Sequence, residues 1–379
     1  MKTMLRPWAV PILFLFCQSS VFAQAATVRV DHYVPVVSSA PSMAGDTALI
    51  YVRERSQPAT VARRASLEGQ VVLFIHGAGT PAEVAFDVPV QGYSWMAYLA
   101  AAGYDTFAMD TTGYGRSTRP YVMNDVCNLS AAAQQDFVPA MIAAPCEPSY
   151  GFAATTIESD WHDIDAVVDY LRRLRGVDKV HLVAWSLGGP RAAGYAALHP
   201  EKVARVVLLA PAYSRNRSAG APASLPVPGA AFSKQSRLDF VRNWERQVGC
   251  ENQYDPAVSE AVWRDMLASD PVGATWAAGV RRAPNTTVWG WTQDVVRRTQ
   301  TPMLLVAGIH DAQVPPSRVA EMYEDLGASE KVLLDLGCSS HNAMWEVNAG
   351  LLFDASLQWL RDGAVDGSSN GVLRKGYRE

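Results

Sequence analysis

The sequence predicts a doubly wound α/β fold: a mostly parallel sheet with helices on both faces and a helical insertion late in the chain. Three observations carry this. Runs such as 71–75 and 303–307 are continuously apolar rather than alternating, as expected of strands buried on both faces. Stretches with helical periodicity separate these runs, and parallel strands need such crossovers. The 379 residues, 49% hydrophobic and 18% charged, can bury a large core, which excludes a disordered chain.

The elements follow in order. Lys2 and Arg6 precede an apolar stretch, 7–17, that is too short to span a bilayer. Small residues follow, so 1–25 reads as a signal peptide cleaved after Ala23 or Ala25. Its removal takes the net charge from −4 to −6, because Lys2 and Arg6 go with it. No later apolar run reaches 18 residues, so the expectation is an exported protein, periplasmic or secreted, without stable membrane insertion. A pI near 6.0 with no Lys/Arg block argues against a nucleic-acid partner.

Residues 28–37 and 47–53 read as a leading hairpin, followed by strands at 71–75, 104–109, 179–185, 205–209, 303–307 and 331–336. Helices are expected at 92–102, 158–174, 187–198, 317–326 and 343–360. Two stretches break the rhythm, 118–156 and 212–300, the second carrying Trp244, Trp263, Trp276, Trp289 and Trp291. The predicted organisation is a core in two parts, 26–211 and 301–362, with 212–300 as a cap over the carboxyl ends of the strands. Residues 363–379, rich in Gly, Ser and charge, read as a flexible tail.

Loss of Cys17 with the leader leaves Cys127, Cys146, Cys250 and Cys338. An even number in an oxidising compartment favours two disulfides. Cys127 and Cys146 bracket one polar stretch, so the favoured pairing is Cys127–Cys146 with Cys250–Cys338. No CxxC or His/Cys ligand spacing occurs, so no structural zinc is expected.

Chemistry concentrates at strand ends. Val183-Ala184-Trp185-Ser186-Leu187-Gly188-Gly189 ends an apolar strand and begins a helix. A sharp turn there exposes the Ser186 hydroxyl, and the Leu187 N–H points to any oxyanion formed beside it. Leu73-Phe74-Ile75-His76-Gly77-Ala78-Gly79 is a strand ending in a glycine-rich turn, so the Ala78 N–H can be a second oxyanion donor and His76 a loop organiser. Asp110 and Arg116, in Asp110-Thr111-Thr112-Gly113-Tyr114-Gly115-Arg116-Ser117, read as loop-holding residues. Asp311 follows a strand and can orient an imidazole; Asp335 is a competing acid, placed behind it because it lies within a strand. His341 follows the last core strand.

These motifs, with Gly308 and Val314-Pro315, resemble the α/β-hydrolase family in their order along the chain from Val28 to about Leu360. The resemblance implies an α/β-hydrolase fold with Ser186 as nucleophile, Asp311 as acid, His341 as base, and the Ala78 and Leu187 N–H groups as oxyanion hole. It implies a serine hydrolase forming an acyl-enzyme, acting on small or oligomeric carboxylic esters or lactones, with no metal or organic cofactor. Carbon–carbon hydrolysis of a β-diketone, as in oxidised polyvinyl alcohol, is the alternative activity, and a binding protein on the same fold is the non-enzymatic one. Serine rather than aspartate at position 186 argues against the epoxide-hydrolase and haloalkane-dehalogenase branches. Trp185, Trp289 and Trp291, with Trp345, are the expected lining of an apolar pocket; alternation puts Trp289 and Trp291 on one face of an extended segment.

Overall fold

The apolar runs form the centre of a nine-stranded sheet in the computed structural model, which describes residues 26–62, 66–216 and 229–377. In chain order the strands are β1 (Val28–Val37), β2 (Thr47–Ser56), β3 (Val71–Ile75), β4 (Asp105–Met109), β5 (Val180–Trp185), β6 (Val203–Leu209), β7 (Phe232–Ser236), β8 (Val280–Pro284), β9 (Met303–Gly308), β10 (Lys331–Leu336) and β11 (Asn370–Lys375). The large sheet runs β1-β2-β4-β3-β5-β6-β9-β10-β11, and β7 and β8 form a separate antiparallel pair. The β1–β2 and β2–β4 pairings are antiparallel; the others in the large sheet are parallel.

Strand alternation divides the core into two layers. Val72 and Phe74 face one, whereas Val71, Leu73 and Ile75 face the other. The first layer is covered by helices Trp95–Ala101 and Ala349–Asp362, with Trp95 and Phe353 stacked at 5.4 Å between ring centroids. The second is covered by helices Ile157–Arg175, Gly188–Leu198 and Pro316–Asp325. Helix Ile157–Arg175 is bounded by its own sequence: Thr156 and Ser159 form a reciprocal capping box, and Gly176 ends it in the left-handed conformation at φ 61°.

The segment 229–300 contains helices Arg237–Glu245 and Pro256–Ala268 besides β7 and β8. A satellite core of Met123, Phe137, Phe232 and Trp276 fastens it to the earlier interruption. Cysteines 127 and 146 pair with a Cα separation of 5.3 Å, and 250 and 338 at 5.6 Å, within the span of a disulfide. The expected signal peptide, 1–25, lies outside the described residues. Among the described residues no helix is long and apolar enough to cross a membrane.

The C-terminal region differs from expectation. Residues 363–379 were expected as a loose tail, but β11 lies parallel to β10 from Lys331↔Asn370 to Leu336↔Lys375. The hydrogen bonds come from the open edge of β10, which composition does not reveal. The predicted helix 343–360 also starts later, at Ala349, because Ala343–Trp345 is a 3₁₀ turn.

Candidate active site

Ser186 occupies a strained corner. It follows β5, precedes helix Gly188–Leu198, and has φ 58°, a left-handed conformation uncommon for a residue with a Cβ. Its N–H donates to Leu209 O at 2.9 Å, and its carbonyl accepts from Gly189 at 2.8 Å and Ala212 at 2.9 Å. Two glycines allow the corner to form. A Cβ on Gly188 would stand 2.6 Å from Ile75 O, and one on Gly77 2.9 Å from Ser186 Cβ. Among the described residues, the Leu187 and Ala78 N–H groups have no backbone acceptor. The elbow and the His76-Gly77-Ala78-Gly79 loop are thus in contact, with two donors unspent.

Asp311 and His341 meet in a buried hydrogen bond, Nδ1 to Oδ2, at 2.8 Å. The other Asp311 oxygen accepts from the Gln313 and Val314 N–H groups at 2.7 and 2.8 Å, which fixes the carboxylate plane. The His341 loop passes so close over β9 that a Cβ on Gly308 would lie 2.5 Å from Ser340 O. Trp185, the neighbour of Ser186, donates its indole N–H to His341 O at 2.7 Å, and the two rings lie 5.3 Å apart. Among the described residues no hydrogen bond joins the Ser186 hydroxyl to the His341 ring; such contacts commonly tighten only around a reacting substrate. Asp335 points elsewhere, 3.8 Å from Arg374 on β11.

Two charged residues that the sequence reading did not single out hold these loops. The buried Glu346 carboxylate accepts from Ser340 N (2.6 Å), Ser340 Oγ (2.5 Å), Trp244 Nε1 (2.8 Å) and Gln253 Nε2 (3.1 Å). Burial raises its pKa despite those donors. Arg191, fully buried on the helix after Ser186, pairs with Asp160 at 2.7 Å and donates to the carbonyls of His76 and Gly77, each at 3.1 Å. Burial raises the Asp160 pKa, opposed by Arg191. Their only sequence signal is proximity, each lying five positions after a candidate residue.

His76 is the loop organiser anticipated. Its Nε2 accepts from Thr111 N at 3.1 Å and its Nδ1 faces Gly77 O at 2.7 Å. Burial, then the Arg191 charge, pushes its pKa well below the usual imidazole value, so the ring is neutral. Asp110 accepts from Ala82 N (2.7 Å) and Arg116 N (3.0 Å), and burial raises it to about 7.

The expected aromatic lining needs correction. Trp291 is 1% exposed and packs in the second core layer, which Trp289 borders, so this pair anchors the segment to the main body. A Cβ on Gly290 between them would touch Trp161. Trp185 and Trp345 are buried in the first layer with their rings 5.4 Å apart, and Trp345 donates to Ala85 O at 3.1 Å. Trp185 therefore carries the His341 loop and presents little surface to a ligand.

The segment 229–300 reaches the site by other residues. Gln247 accepts from Ala312 N at 3.1 Å beside Asp311, Tyr254 bridges to Glu346, and the Arg281 guanidinium lies against Gly79.

The sheet order, the elbow and the strand-end loops define an α/β hydrolase. Residues 70–346 match the family described as alpha/beta hydrolase fold, and the chain belongs to that family. Solved structures similar over most of the chain agree in fold. An esterase from Thermogutta terrifontis has TM-score 0.52 and 15% identity, covering 87% of this chain and 98% of that one. A bromoperoxidase from Bacillus anthracis has TM-score 0.51 and 15% identity, covering 88% and 100%. A meta-cleavage product hydrolase from Pseudomonas fluorescens IP01 has TM-score 0.50 and 16% identity, covering 87% and 97%. A poly(3-hydroxyalkanoate) polymerase subunit from Allochromatium vinosum is 50% identical over 46 residues, 12% of this chain and 13% of that protein.

Proposed function

We propose that this protein is an exported serine hydrolase of carboxylic esters or lactones. The observation that carries the reading is the buried Asp311–His341 pair, attached through Trp185 to the strained Ser186 corner. Ser186 Oγ attacks the substrate carbonyl carbon as His341 accepts its proton. Asp311, bonded to Nδ1, leaves Nε2 as the basic nitrogen and stabilises the imidazolium. The Leu187 and Ala78 N–H groups receive the oxyanion, each donor being worth roughly 3–4 kcal/mol in comparable sites. The leaving alcohol takes the proton from His341. Water, deprotonated by His341, then attacks the acyl carbon, which releases the acid and restores the Ser186 hydroxyl.

In this reading 212–300 is a cap that governs substrate choice, and cleavage after Ala23 or Ala25 delivers the chain to the periplasm or beyond. The cysteine pairs suit that compartment. The test is labelling by a fluorophosphonate, with turnover of a p-nitrophenyl ester panel and of a β-diketone. Labelling and ester turnover that vanish in Ser186→Ala, with the far-UV CD spectrum retained, support the reading. Ester turnover surviving in that variant overturns it, and diketone cleavage without ester turnover selects carbon–carbon hydrolysis.

A further inference from the structure

Two adjacent arginines on β8 have opposite circumstances. Strand alternation turns Arg282 inward and Arg281 to the other face. Arg282 is buried and satisfied. Its Nε and Nη2 meet the two Asp270 oxygens at 3.0 and 2.7 Å, Nη1 reaches Asn124 Oδ1 at 2.9 Å and also Met123 O, and the guanidinium lies 4.9 Å from the Trp276 ring centroid. Arg119 also pairs with Asp270, at 3.4 Å. That carboxylate is therefore already committed.

Arg281 has no such partner. Its Nε donates to Gln235 Oε1 at 3.1 Å across the β7–β8 pair, and among the described residues no ion pair reaches it. Arg53, Arg119, Arg175, Arg191 and Arg282, each less than a fifth exposed, all have a carboxylate. Burial depresses Arg281 to about 10, opposed by Tyr114 and Asp270, so it remains a cation at neutral pH. Arg281 is half-buried, and a cation partly withdrawn from water without a counter-charge is costly to keep.

Its position suggests a reason. The guanidinium lies flat on Gly79: a Cβ there would fall 1.9–2.2 Å from Nη1, Cζ and Nη2. Gly79 ends the loop whose Gly77 touches Ser186. Two residues of chain span at most roughly 7 Å, which puts the cation on the order of 10 Å from the nucleophile. That is the reach of a short acyl chain. A planar guanidinium with both terminal nitrogens unspent suits a carboxylate.

We propose that Arg281 is the recognition group for a carboxylate on the acyl part of the substrate, so that the preferred substrates are half-esters of short dicarboxylic acids. This rests on the serine-hydrolase reading, and the test separates the two. The measurements are kcat/KM for mono-p-nitrophenyl glutarate and p-nitrophenyl pentanoate, in wild type, Arg281→Gln and Arg281→Lys. Calorimetric binding of glutarate and of neutral pentanamide is measured alongside. Wild type should favour the anionic ester, and Arg281→Gln should lower the anionic-to-neutral ratio ten- to hundredfold. Arg281→Lys, which keeps the charge but not the fork, should fall between. A wild-type ratio at or below one overturns the proposal even if Arg281→Gln does not fold. So does a ratio unaffected by a folded Arg281→Gln. Should neither ester turn over and Ser186 resist fluorophosphonate, the hydrolase reading fails. Arg281-dependent binding of glutarate then upholds the anion site, and glutarate binding no better than neutral pentanamide rejects it.

Discussion

Arg191→Met would test how the loop carrying Ala78, the proposed oxyanion donor, is held. The substitution removes two things at once: the partner of Asp160, which is fully buried, and the donor to the His76 and Gly77 carbonyls. Breaking a buried ion pair from one side costs about 3–5 kcal/mol, most of it from the charge left behind. Removing Asp160 as well, in Arg191→Met/Asp160→Leu, eliminates that charge, and apolar replacement of a buried pair is often near neutral, within about 1–2 kcal/mol. The carbonyls stay unheld in both variants. A correctly placed oxyanion donor is worth about 100- to 1,000-fold in kcat, and partial misplacement of Ala78 should cost about 10- to 100-fold. The single variant should therefore lose stability and rate, while the double regains stability and remains slow. Urea unfolding and kcat on p-nitrophenyl acetate read the two effects separately. A double variant that recovers both full stability and wild-type kcat would refute a positioning role for Arg191.

Asp311→Asn should lower kcat by about 10⁴-fold, whereas Asp335→Asn, at a site paired with Arg374, should act mainly on stability; reversed losses in the same ester assay would make Asp335 the acid. Asp163 accepts Thr112 N at 2.8 Å, and burial raises it to about 7 from an ordinary value of 3.8. The folded chain thus holds a proton that the unfolded chain has released between those values, and this contribution to stability is lost as pH rises through the window. An amide keeps an acceptor for Thr112 N without the charge, so Asp163→Asn should gain on wild type in urea midpoints from pH 5 to pH 8; a constant difference argues against it. Replacing Cys250 and Cys338 by serine should cost about 2–4 kcal/mol and lower kcat too, because Cys338 begins the turn that leads to His341. Unfolding and burst kinetics measure these effects, and non-reduced peptide mapping verifies the bond.

What was legible in the sequence had local causes. Buried central strands such as β3 and β9 are continuously apolar, and glycines stand where backbones nearly touch, so strand–turn–helix points and their order could be read directly. Asp311 and His341 lie on strand-end loops, where the structure sets them in contact. Long-range pairing was less visible. Strand β11 is an exposed edge whose partner β10 lies 39 positions earlier in register, and nothing in Asn370-Gly371-Val372-Leu373 announces it. Glu346 and Arg191 acquire their roles only from donors and acceptors that folding gathers. The tryptophans misled for a related reason: large aromatics near a site fill core layers as readily as they line pockets, and only burial distinguishes the two.

Strand β11 also bears on how the chain can be handled and how it could have diversified. Gly337, at the root of the His341 turn, donates to Lys375 O at 2.8 Å and accepts from Asn348 Nδ2 at 2.6 Å. The last residues are therefore part of the scaffold beneath His341. A version shortened after helix Ala349–Asp362 would uncover the β10 edge, inviting another chain to pair there. Purification handles and fusion partners belong beyond residue 377, joined by a flexible spacer, rather than in place of the terminal segment. A gene-level rearrangement that exchanged the proposed cap could leave the sheet standing, whereas one that exchanged the C-terminus would disturb the His341 turn from below.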